Sequence, residues 1–110
     1  MSEDAPEPYE VFYTNGVVSF MIDAIWSKRV YEKVDSYRSL LAQFPDLGTP
    51  YDPVYAAARP PFPCRHIAVP DTPFRLFYLK DDDARRVVVF YIEHVASDPE
   101  GRFDWAVVDV

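Results

Sequence analysis

RHIAVPDTPFRLFYLKDDDARRVVVFYIEH, residues 65–94, is the stretch whose reading decides the fold. It holds three runs rich in β-branched and aromatic residues: Arg65 to Val69, Phe74 to Lys80 and Arg85 to Glu93. Pro70-Asp71-Thr72-Pro73 and Asp81-Asp82-Asp83 separate them. Strand-forming runs joined by short turn-forming clusters read as an antiparallel meander. Alternation in the second run puts Phe74, Leu76 and Tyr78 on one face and Arg75, Phe77 and Leu79 on the other. The third run, VVVFYI, does not alternate, which predicts a central strand covered on both faces.

Upstream, Tyr9 to Thr14 (YEVFYT) reads as a first strand. Asn15-Gly16 leaves two readings open. It is either a hairpin turn with VVSFMI returning as a strand, or a capped helix start near Val17 with Thr14 or Asn15 as the cap. Ile22, Ile25, Trp26, Val30, Val34, Tyr37, Leu41 and Phe44 then recur at three- and four-residue steps, the period of a helix over residues 22–44. Ser27 is placed to cap a second helix, so this is one long helix or two packed ones. Pro45 ends it.

Six prolines and Gly48 between residues 45 and 63 predict an irregular connection. After the polar break Ser97-Asp98-Pro99-Glu100-Gly101, the segment RFDWAVVDV is either an added strand or a tail docked by Phe103 and Trp105. The expected architecture is α+β: an antiparallel sheet of about four strands with one or two helices packed on one face. The helical stripe is expected to bury against Ile67, Leu76, Tyr78 and alternating residues of Val87 to Ile92, leaving the opposite face for a partner.

With 110 residues, 49% of them hydrophobic and 16% aromatic, the chain has material for one core. Residues 1–8 read as a flexible acidic tail and residues 9–110 as a single domain. Cys64 is the only cysteine, so neither an internal disulfide nor a multi-cysteine zinc site is available. Apolar runs fall short of a membrane span and the acidic opening is unlike a secretion signal, so the expected address is cytoplasmic, with no membrane partner. The net charge is −7, and the chain beyond residue 10 still carries 14 acids against 11 bases. A polyanion-binding protein is usually basic, so this balance works against nucleic-acid affinity built on charge alone.

Motifs of nucleotide-binding loops, zinc proteases and serine hydrolases are absent. The side chains left for chemistry are Arg65, His66, Arg75 and His94, all within the meander. His66 and His94 lie on different strands without the local spacing of metal ligands, so no metal site is expected.

In order, the helix end "L…FPDLG", the arginine opening the second strand, FRLFY and RVVVFYIEH resemble the RelE/ParE superfamily of toxins from bacterial type II toxin–antitoxin systems. The resemblance covers about residues 9–97. It implies an opening strand, two helices and a three-stranded meander, and a cognate antitoxin protein as partner. It also implies one of two activities. The first is a ribosome-dependent mRNA endoribonuclease that inhibits translation by attack of a ribose 2′-hydroxyl on the adjacent phosphate, without metal or cofactor. In that case Arg65 and Arg75 would stabilise the phosphate and His94 would carry the proton. The second is a non-nuclease member that acts by binding protein, either the antitoxin or DNA gyrase. Ile67, Ala68, Val95 and Ser97 stand where the cleaving members carry further cations.

Overall fold

The computed structural model describes residues 7–52, 60–97 and 102–108. Its elements run β1 (Glu10–Tyr13), α1 (Asn15–Ala24), α2 (Lys28–Gln43), β2 (Thr49–Pro50), β3 (Arg65–Ala68), β4 (Phe74–Asp81) and β5 (Arg86–His94). The sheet order is β1-β5-β4-β3-β2. The α+β class is as expected, with two additions. The two-residue β2 adds a fifth strand, and β1 pairs with β5 in parallel while the other pairs are antiparallel. Most of the acidic tail and the middle of the proline-rich connection lie outside the described residues, as does most of the polar break before Arg102.

Asn15-Gly16 opens a helix, not a hairpin. Thr14 is extended and fully buried, and its hydroxyl accepts from the Val17 amide, satisfying an N–H that has no partner within the helix. Ser27 does the same for Val30 and starts α2, so the apolar stripe is carried by two helices. The break changes the helical phase. In α1 the buried residues are Val17 and Met21, one turn apart, followed by Ile25. Ile22 and Trp26 therefore lie off that face and are 63% and 91% exposed, contrary to the continuous stripe expected. In α2, Val30, Val34, Tyr37 and Leu41 are buried as the spacing predicts, while Phe44, past the end, is exposed.

The motif FPDLG is pinned to the sheet by one side chain. The buried Tyr78 hydroxyl accepts from the Gly48 amide and donates to the Pro45 carbonyl, each at 2.9 Å. A Cβ on residue 48 would lie 2.7 Å from the His66 carbonyl oxygen and 2.9 Å from that hydroxyl, so only glycine fits.

Two cores flank the sheet. The helices close the first over Leu76, Tyr78, Val87, Val89 and Ile92. The second lies on the other face, where Phe77, Val88, Phe90 and Tyr91 are covered by Tyr51, Phe62, Phe103 and Trp105. This corrects the expectation of an open face. The central strand β5 is buried from Val87 to Glu93 because apolar residues from the proline-rich connection and the C-terminal segment close the side that the helices do not.

Candidate functional site

Register places the polar side chains. Phe77 pairs with Tyr91 but Tyr78 pairs with Val89, so Phe90 is an extra residue in β5 and the ladder has a β-bulge. Both Phe90 and Tyr91 consequently face the second core, and beyond the bulge Ile92 returns to the helix side. Glu93 comes next, opposite Arg75 in β4, and directly opposed residues share a face. His66 is paired with Phe77 and takes the same side. The second face thus collects His66, Arg75 and Glu93 from three adjacent strands.

Glu93 is the centre of the group. It is 4% exposed at the end of the buried run Val87–Ile92, and a buried carboxylate needs compensating cations. Arg102 donates from Nε to Oε2 at 2.8 Å, and an Arg75 guanidinium nitrogen lies 3.6 Å from Oε1. Arg102 also donates to the Tyr51 hydroxyl at 2.8 Å, and its guanidinium lies over the rings of Tyr51 and Phe77. Burial works against the Arg102 charge, but the bonds to Glu93 and Tyr51 outweigh it and hold its pKa above the ordinary value. His66 stacks on Phe77 and contacts Thr49 through Nε2 at 3.2 Å. Burial, then the charges of Arg75 and Arg102, push its pKa down, so the imidazole is neutral at pH 7. His66 and Arg75 share the wall of a cleft of about 210 Å³ with Leu47, Gly48 and Thr49.

The three residues expected to form a catalytic set do not converge. Arg75 is on the second face. His94 is paired with Phe74, which belongs to the helix-side core, so it projects to the opposite face. Its Nδ1 accepts from the Ala96 amide at 3.1 Å. Arg65 pairs with Tyr78, another helix-side residue. It donates to the Gly48 carbonyl at 2.7 Å and lies 3.5 Å from Asp46. Because Ala68 is the partner of Arg75, Arg65 is also displaced by three residues, about 10 Å along the strand. An arginine at that register braces the FPDLG turn.

Sequence reasoning left Glu93, Arg102 and Tyr51 out of the site. A signal for Glu93 existed: an acid inside VVVFYIEH must be matched by a cation when the strand is central. The matching arginine lay in RFDWAVVDV, beyond the meander. Among the described residues, no three His, Cys, Asp or Glu side chains come together in a metal-binding group. Burial pushes the Cys64 thiol up to about 12, which leaves it a poor nucleophile. No helix among the described residues is long and apolar enough to cross a membrane.

No protein-family model matches the chain, and no curated protein matches it significantly in sequence. Among solved structures, a chain of the toxin–antitoxin complex RelBE2 from Mycobacterium tuberculosis superposes with a TM-score of 0.61. The two are 20% identical, and the match spans 83% of this chain and 95% of that one. At that identity the likeness is one of fold.

Proposed function

We propose that this chain, with its RelE/ParE-like α+β fold, is the toxin-side member of a toxin–antitoxin pair and acts in the cytoplasm by binding protein, not by cutting RNA. The fold likeness to a chain of a toxin–antitoxin complex supports the first half. One observation carries the second: the cations a phosphodiester would need are engaged within the chain. Arg75 faces Glu93 at 3.6 Å, Arg102 is bonded to the same carboxylate, and Arg65 is spent on Gly48 and Asp46. Lys80 is likewise paired with Asp46 and Asp82. An RNA would have to compete with these carboxylates on a chain of net charge −7. Exposed Ile22 and Trp26 at the end of α1 offer the apolar surface that protein recognition uses.

Co-expression with the product of the neighbouring gene tests the proposal. The expected result is a stoichiometric complex that survives size-exclusion chromatography and is weakened by Trp26→Ala. Failure of any adjacent gene product to bind would overturn it, and a supercoiling assay decides whether DNA gyrase is a second protein target. A cleaving reading draws on one different observation, the shared cleft of His66 and Arg75. In that reading those two residues, not Arg65 and His94, would handle the proton and the phosphate charge.

A further inference from the structure

Asn15 is the only asparagine of the chain, and Gly16 follows it. The pair opens α1 instead of turning a hairpin, so the fold does not account for asparagine before glycine here. The pair carries chemistry of its own. An asparagine side chain holds an electrophilic carbon, Cγ, on which the next residue's amide nitrogen can close a five-membered ring. Glycine, with no Cβ, obstructs that approach least. The Gly16 nitrogen gives its electron pair to Cγ and its proton to water, the Cγ–Nδ2 bond breaks, and Nδ2 leaves as ammonia. Water then opens the succinimide at one of its two carbonyls. Opening at Cγ leaves aspartate; opening at the main-chain carbonyl leaves isoaspartate, with the chain running through the former side chain. One water enters and one ammonia leaves, so no other reactant is needed.

Asn15 is exposed, so water reaches it. The Gly16 amide is one of the first N–H groups of a helix, which have no carbonyl partner within it, and the Thr14 hydroxyl serves Val17 instead. What the helix withholds is geometry. Ring closure needs the Gly16 nitrogen eclipsed with Asn15 Cβ, a ψ of about −120°, which is about 80° from the helical value of about −42°. Two contacts hold the first turn in its helical form. The Thr14 hydroxyl accepts from the Val17 amide at 3.4 Å. The Trp105 indole lies against Gly16, where a Cβ would be 2.9 Å from Cε3, and stacks on Phe20 one turn further on at 6.0 Å. A helix end held this way opens at lower free energy than a central strand.

We propose that Asn15 is a self-modifying site gated by the first turn of α1: it is protected while the Thr14 cap and the Trp105 indole hold that turn helical, and it converts to aspartate and isoaspartate when the turn opens. The two products act in opposite directions. Aspartate places a negative charge at the helix N-terminus, where the dipole favours it, and α1 closes again. Isoaspartate inserts one more atom into the backbone ahead of Gly16, which moves the glycine off the indole and the cap out of register with Val17. That chain keeps a permanently loosened α1, the helix that carries exposed Ile22.

Peptide mapping by mass spectrometry tests it, on the full chain incubated at mildly alkaline pH with and without urea. The peptide that contains residue 15 gains the mass difference between an amide and an acid, and its two products separate by chromatography. In urea the conversion should run roughly tenfold or more faster than in the folded chain. Thr14→Val, which keeps the side-chain shape and removes the cap hydroxyl, should speed conversion of the folded chain several-fold, and so should Trp105→Ala. Tyr78→Phe loosens the fold at the FPDLG turn, leaves the start of α1 intact, and should keep the slow rate. Circular dichroism shows which variants are folded, and if Trp105→Ala is not, Thr14→Val carries the comparison. Equal rates with and without urea would overturn the proposal, as would no conversion in either. So would a Tyr78→Phe chain that converts as fast as Thr14→Val, because the gate would then be unfolding of the whole domain.

Discussion

Glu93→Gln tests the internal neutralisation of the site most simply. The substitution keeps the side-chain shape and removes the charge, leaving Arg75 and Arg102 facing a neutral amide. Breaking a buried ion pair by removing one partner costs roughly 3–5 kcal/mol. Glutamine retains an acceptor for Arg102 Nε, and the Arg75 side chain, 30% exposed, can turn to water. The low end applies, about 3 kcal/mol. For a domain of this size that corresponds to a fall in Tm of roughly 10–20 °C. Urea denaturation monitored by circular dichroism reads the loss as a lower midpoint at unchanged slope. Adding Arg102→Met should cost less than the sum of the two single changes, since the second substitution removes the stranded cation. Higher ionic strength should rescue little of the loss because the group is buried. A loss below about 1 kcal/mol, or strict additivity with Arg102→Met, would refute the reasoning, since an exposed, independent pair behaves that way.

Gly16→Ala should destabilise the chain although alanine favours helices, because its Cβ meets Trp105; in a Trp105→Ala background the sign should reverse to a gain of up to about 1 kcal/mol, read from paired urea melts. Tyr78→Phe leaves the Gly48 amide and the Pro45 carbonyl without their buried partner and should cost about 1–3 kcal/mol in the same assay. For His66 the folded pKa lies below the ordinary 6.5, so the unfolded chain binds the proton more readily. Its contribution is therefore constant above about pH 6.5, and stability falls with pH from there down to the depressed folded pKa. His66→Asn should remove that part of the slope, and an NMR titration placing the His66 pKa above 6.5 would contradict the argument.

The meander was legible because its three strands and two turns are local patterns, and the pair His66 with Phe77 follows once it is closed, whereas Arg75 meets Glu93 only because Phe90 is an extra residue in β5. The helix pair was legible except in phase, since the break at Ser27 depends on one capping hydroxyl. The site was harder to read for a physical reason. Arg65, Arg75 and His94 were grouped because they are basic and near in sequence, but alternation alone sends Arg75 and His94 to opposite faces once Phe90 adds a bulge residue. The bulge residue Phe90 packs against Phe62 and Phe103, contacts distant in sequence, and no local signal marks it. The covered second face depends on contacts such as Arg102 with Tyr51, which lie 51 residues apart.

The central claim, that the sheet's cations serve the chain's own carboxylates and the protein acts by binding, is tested most directly by adding the purified chain to ribosomes translating a defined mRNA and mapping its 5′ ends. The account predicts an intact message, unchanged between the chain and its Arg75→Ala variant. Cleavage within codons at the ribosome, abolished by Arg75→Ala or His66→Ala, would contradict it.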